Sequence, residues 1–161
     1  MLERFNVEEC KTCPMPMEER IKVRETDAVL VVQFRELAGS LIYIFKISRP
    51  DITFTTSYLS RFLDHPTCPV WNAEKNVLRY LNGTMNSKLI YKTRPEEYDK
   101  VIGYAEADWG GDRTDHKSMS RMASFNCSNL LSWGSKKLQA VALSSAETEY
   151  IAGSLAATEL L

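Results

Sequence analysis

No apolar run in this 161-residue sequence comes near the roughly 20 residues that a membrane-spanning helix requires. The longest, Ala28–Val32 and Leu41–Phe45, suit buried elements of a folded protein, and no membrane partner is expected. The opening Met1-Leu2-Glu3-Arg4-Phe5 is charged and has no apolar stretch of the secretory kind, so the expectation is an intracellular chain, cytoplasmic or nuclear. A dominant charge is missing as well. Lys and Arg number 20 against 21 Asp and Glu, so bulk electrostatics gives no reason to choose a nucleic-acid partner, and any such contact must be local. Cysteine is scarce. Cys10 and Cys13 form one C-x-x-C pair, but neither Cys68 nor Cys127 has a second Cys or a His nearby, so free thiols are expected in place of a zinc site.

What remains is a globular composition, 44% hydrophobic and 25% charged, long enough for one domain or two small ones. Residues 1–27 alternate charge with turn formers, and Cys13-Pro14-Met15-Pro16 forbids a continuous helix, so an extended lead-in is expected. Mixed three and four spacing of apolar residues predicts an amphipathic helix over at least Phe34 to Ile47. Asp51 is placed to cap a second helix that buries Phe54, Tyr58, Leu59 and Phe62. A third, about Val70 to Leu81, presents Trp71, Val77, Leu78 and Leu81 and stops at Asn82-Gly83. Beyond Asn86 the pattern changes. Lys88 to Lys92 reads as a short strand, then come strands at Val101–Ala105, Met119–Asn126 and Asn129–Trp133, which in succession suggest an antiparallel meander. Ser144 and Glu147 have the spacing of a capping box that opens a final helix. The expected class is α+β: a helical region over 28–96, then β-β-β-α over 97–161.

Several strings in this order resemble a known family. They are Phe34-Arg35-Glu36-Leu37-Ala38-Gly39-Ser40-Leu41, Ser48-Arg49-Pro50-Asp51-Ile52, Tyr58-Leu59-Ser60-Arg61-Phe62 and Val77-Leu78-Arg79-Tyr80-Leu81-Asn82-Gly83-Thr84. Then follow Gly103 to Asp112, Leu131-Ser132-Trp133-Gly134-Ser135-Lys136-Lys137, and Val141 to Ala152 with its Ser-Ser-Ala-Glu-Thr-Glu-Tyr. The whole resembles the Pol polyprotein of copia-type LTR retrotransposons, from the end of the reverse transcriptase into the ribonuclease H domain. The resemblance implies a thumb or connection-like helical segment followed by a truncated ribonuclease H-like unit. The partner it implies is an RNA:DNA hybrid or template-primer duplex, with a complementing Pol fragment as a further one.

Ribonuclease H chemistry uses two Mg²⁺ ions and therefore several convergent carboxylates. The resemblance assigns Glu106 and Asp108, two apart on the first strand, and Glu149 on the final helix as catalytic and metal-binding positions. The family pattern resembles Asp-Ala-Asp-Trp, and Glu106 stands where its first Asp would be, one methylene longer. Asp108 has a second reading as a turn-initiating residue before Gly110-Gly111, and Glu147 has the capping role. On the helix Glu149 is expected to share the packed face with Gly153, Ala156 and Leu160. The remaining acids of the fold would come after Leu161, and no Tyr-x-Asp-Asp polymerase motif occurs. The expectation is thus a vestigial site whose ancestral Mg²⁺ is not held stably, and a fragment catalytically incomplete on its own. Arg113, Lys117, Ser135, Lys136 and Lys137, with His116, Ser118 and Arg121 nearby, are candidates for phosphate contact or, alternatively, a solvated charged turn. A second reading of the whole is a host-retained nucleic-acid-binding or protein-interaction module.

Overall fold

A computed structural model describes residues 1–17, 21, 33–93, 100–112 and 115–160. The chain divides into two compact units, Met1–Lys88 and Leu89–Leu161.

The first unit is helical, with α1 at Phe34–Ile47, α2 at Thr53–Leu59 and α3 at Cys68–Gly83. The bounds of α1 coincide with its apolar periodicity, because Phe34, Leu37, Ala38, Leu41 and Phe45 form one buried stripe. Pro69 sits in the first turn of α3, where its missing amide costs nothing. The core joins these helices to the N-terminal segment. Phe5 and Val7 are buried in it, and Phe5 and Phe34 both meet the Trp71 ring, with centroids 6.3 and 6.4 Å away. The expected lead-in therefore has a 3-10 turn at Glu3–Phe5 that contributes to the core, while its residues 18–20 and 22–27 lie outside the described residues.

The second helix differs from expectation. It is short, flanked by 3-10 turns at Pro50–Ile52 and Ser60–Phe62, and it buries Thr53, Thr55, Thr56 and Leu59, while Phe54, Tyr58 and Phe62 are only half-buried. Asp51 does not cap it. Its carboxylate accepts from Arg49 Nη2 and from the Tyr80 hydroxyl, each at 2.7 Å. Arg49, buried, also donates to the Thr84 hydroxyl at 2.6 Å and to the Thr84 carbonyl at 3.2 Å. This network ties the α1–α2 connection to the end of α3. Burial alone would raise the Asp51 carboxyl, but the bonds from Arg49 and Tyr80 outweigh it and hold the group below its ordinary range.

The second unit holds β1 at Val101–Asp108, β2 at Met119–Asn126, β3 at Asn129–Lys137, and α4 at Ser145–Leu160. The strands form an antiparallel sheet in the order β1-β2-β3, so β1 and β3 are its edges. β1 and β3 run three and four residues further than their apolar runs suggest. Lys88–Lys92 is not a strand. The Lys92 backbone instead bonds the Asn129 side chain, N–H to Oδ1 at 2.8 Å and carbonyl from Nδ2 at 2.9 Å, which satisfies the peptide groups without a ladder. The β2–β3 turn places Cys127 and Ser128 at φ 49° and 62°, the left-handed pair that a two-residue hairpin loop demands.

Side chains alternate across a strand, so Gly103, Ala105 and Ala107 share one face of β1 and Tyr104, Glu106 and Asp108 the other. α4 lies against the first face and runs back along β1. A Cβ added to Gly103 would stand 2.6 Å from Leu160 Cδ1, and the small Ser120 and Ser124 of β2 are buried there. The helix presents Thr148, Ala152 and Ala156 to the sheet.

Candidate functional site

The three carboxylates assigned from the sequence come to the Asp108 end of β1, but each is engaged by the chain itself. Glu106 stands directly across from Arg121 on β2, and Arg121 Nη1 donates to its Oε1 at 3.4 Å. Asp108 turns its carboxylate back over Gly111, so close that a Cβ at Gly111 would overlap it, and the Gly111 N–H donates to the Asp108 carbonyl at 3.3 Å. That contact matches the turn reading of Asp108.

Glu149 departs from the position expected for it. The packed stripe of α4 is Thr148, Ala152 and Ala156; Ala156 lies on it as expected, but Glu149 is exposed at its margin. From there Oε1 accepts the Ala107 N–H at 3.3 Å. That amide points away from β2, toward the edge of the sheet, so Glu149 caps an edge donor that no strand takes up among the described residues. Glu106 and Asp108 project from the face opposite α4, whereas Glu149 arrives from α4. Among the described residues, no group of three His, Cys, Asp or Glu side chains gathers closely enough to hold a metal ion. As arranged, these carboxylates do not fit a Mg²⁺ centre, which needs oxygens converging at about 2.1 Å from one point.

Glu147 acts as its spacing predicts. Its N–H donates to Ser144 Oγ at 3.1 Å and its carboxylate takes the Leu143 N–H at 2.7 Å, a capping box whose return bond falls one residue earlier than usual.

The basic candidates divide between roles. Arg113 lies outside the described residues. Lys137 and Ser135 fall inside β3 and point to the same face as Glu106, while Lys136 points to the other and is exposed. Lys137 Nζ bridges Asp112 Oδ2 at 2.5 Å and Asp115 Oδ1 at 2.8 Å, so its charge is neutralised by the β1–β2 connection. The bond from Lys137 holds the Asp115 carboxyl below its ordinary range. Lys117 approaches Asp115 at 3.9 Å. Ser118 is buried and accepts the Gly110 N–H at 3.0 Å, and the His116 N–H donates to the Asp112 carbonyl at 2.8 Å. Lys117 and Lys137 are therefore drawn into the internal ties of one loop, whereas Lys136 is exposed.

A shallow cavity of about 450 Å³ opens elsewhere in the unit, lined by Tyr91, Lys92, Asn126, Cys127, Asn129 and Leu131 among others, and it holds none of the acidic residues.

Sequence comparison supplies what the geometry leaves open. The retrovirus-related Pol polyprotein from transposon TNT 1-94 of Nicotiana tabacum is 33% identical over 171 residues, all of this chain but 13% of that protein. The corresponding polyprotein from transposon RE2 of Arabidopsis thaliana is 33% identical over 93% of this chain and 10% of its own length. Secreted RxLR effector protein 161 of Plasmopara viticola is 40% identical over 129 residues, 80% of this chain and 89% of that protein. No family profile matches the chain, and no solved structure matches it. The class is thus set by homologues named as transposon Pol polyproteins, of which the chain spans only about a tenth. The chain belongs to the family that contains the P. viticola protein and the matched segment of those polyproteins.

Proposed function

We propose that this chain is a transposon-derived Pol segment of the copia type, joining the end of a reverse transcriptase to the start of a ribonuclease H-like unit, and that its own carboxylates do not form a hydrolytic centre. The ancestral chemistry would be Mg²⁺-dependent cleavage of the RNA strand of an RNA:DNA hybrid. The observation that carries the second half is the engagement of all three acids: Glu106 with Arg121, Asp108 over Gly111, and Glu149 on the Ala107 amide. In this arrangement the three carboxylates do not gather around one point. The first half rests on the order of motifs and on homologues that extend over nearly the whole chain. Purified protein incubated with a labelled hybrid and Mg²⁺ or Mn²⁺ is expected to cleave no faster than its Glu149→Gln variant. Cleavage by the wild type that the variant loses would overturn the proposal.

One finding favours a second reading. The match covers nearly all of the P. viticola effector, so a segment of this extent serves there as a separate protein. On that reading the chain is a binding module for nucleic acid or a protein partner, and salt-sensitive hybrid binding that weakens in Lys136→Glu is its signature.

A further inference from the structure

Glu74 lies on the buried stripe of α3, in line with Val70, Val77, Leu78 and Leu81, and is only 1% exposed. Neither carboxylate oxygen has a hydrogen-bond partner among the described residues. A carboxylate anion in that position would be stripped of water with no counter-charge bonded to it among the described residues, which is far costlier than burying the neutral acid. Among the described residues, the same unit buries four more polar atoms without partners, the hydroxyls of Thr53, Thr56 and Thr67 and the Nε of Arg79, whose Nη1 donates to Asn76.

Among the described residues, the charges on the elements packed against α3 are paired with other groups or exposed to solvent. On α1, Arg35 reaches the Leu63 carbonyl and Asp64, Glu36 pairs with Arg4, and Lys46 and Tyr43 are exposed. α2 carries no charged residue, and Tyr58, its one ionisable group, meets the rings of Phe54 and Phe62. In the α1–α2 connection Arg49 and Asp51 bind each other. In the N-terminal segment Glu3, Glu8, Glu9 and Lys11 are exposed. On α3 itself Lys75 lies over the Trp71 ring and Arg79 donates to Asn76.

We infer that the folded helical unit carries Glu74 as a neutral carboxylic acid, so that folding takes up a proton and rising pH selectively opens this unit. Burial pushes the Glu74 carboxyl up to about 8 from an ordinary 4.5. The sign follows from linkage. Below about 4.5 both folded and unfolded states are protonated and pH has no effect through this group. Between about 4.5 and about 8 only the unfolded state releases the proton, and the folding constant falls by about tenfold per pH unit. Above that range both states are ionised and the loss is complete. The device lies outside the acids at β1, so it stands or falls separately from the proposed function.

Hydrogen exchange of the full chain, corrected for the intrinsic pH dependence, tests this in wild type and Glu74→Gln. In the wild type, protection of peptides from α3 should fall about tenfold per unit from pH 6 to 7.5 while peptides from β2 and β3 keep theirs; the variant should lose this dependence. Parallel profiles for the two proteins would overturn the inference. If the variant does not fold, carbon NMR of glutamate carboxyls in the wild type decides. One resonance titrating close to pH 8 supports the inference, and all titrating in the ordinary range overturns it.

Discussion

Residue types advertise chemistry, but neighbours decide whether it is exercised. Lys137 was legible as a cation near a turn and equally suited to phosphate contact or solvent; only the fold shows Asp112 and Asp115 converging on it. The Asp112 side chain is 9% exposed, so the Lys137 bond satisfies a largely buried acid. Removing the cation by Lys137→Ala should destabilise the second unit by about 2 kcal/mol, the scale of a charged hydrogen bond to a buried group, as read by denaturant unfolding followed through the sheet signal. Because Lys137 depresses the Asp115 carboxyl, the stabilisation is present above the ordinary carboxylate range and fades as pH falls through the folded value. The Lys137→Ala protein should accordingly show less acid sensitivity. Arg49 and Glu74 left no comparable trace in the sequence. Ser48-Arg49-Pro50-Asp51 reads as a helix stop, and a lone Glu in a helix reads as a solvated acid until its neighbours Val70, Val77 and Leu78 are known to be buried.

Elements were legible where one local pattern dominated. α1 and β2 take the bounds that the sequence predicts, α1 because one face is an apolar buried stripe and β2 because, as the central strand, it is buried or half-buried along its whole length. β1 and β3 extend further because pairing with β2 carries polar residues such as Glu106, Asp108, Ser135 and Lys137 into the ladder, and cross-strand bonding overrides their composition. Lys88–Lys92 fails for the opposite reason: it has strand composition but no strand beside it, and an asparagine side chain takes its peptide groups. The capping box before α4 was readable because it is wholly local. Ser144→Ala removes the acceptor for the Glu147 amide and should cost about 1 kcal/mol. The check is the melting temperature of the second unit, with Ser144→Asp as the variant that retains a cap. The face of α4 was misjudged by less than one residue: Ala156 is buried as expected, but the stripe runs through Thr148 and Ala152, which moves Glu149 to its edge.

At the scale of the molecule, a helical unit and a three-stranded sheet with one helix make an α+β chain whose relatives include transposon Pol sequences. The order of elements was readable from the switch in apolar spacing after Asn86, whereas the state of the acidic residues depended on which face of β1 each one leaves. Alternation sends Glu106 and Asp108 away from α4, and the open edge of β1 captures Glu149 before it can join them. Whether these three groups act together on a divalent ion is most directly measured by titrating the full chain with Mn²⁺ and following paramagnetic broadening of backbone amides. The account predicts weak, non-saturating broadening spread over exposed acids, with Ala107 no more affected than the amides of other surface carboxylates. Saturable broadening at low Mn²⁺ concentration, centred on Glu106 to Asp108 and Glu149 and abolished by Glu149→Gln, would contradict it.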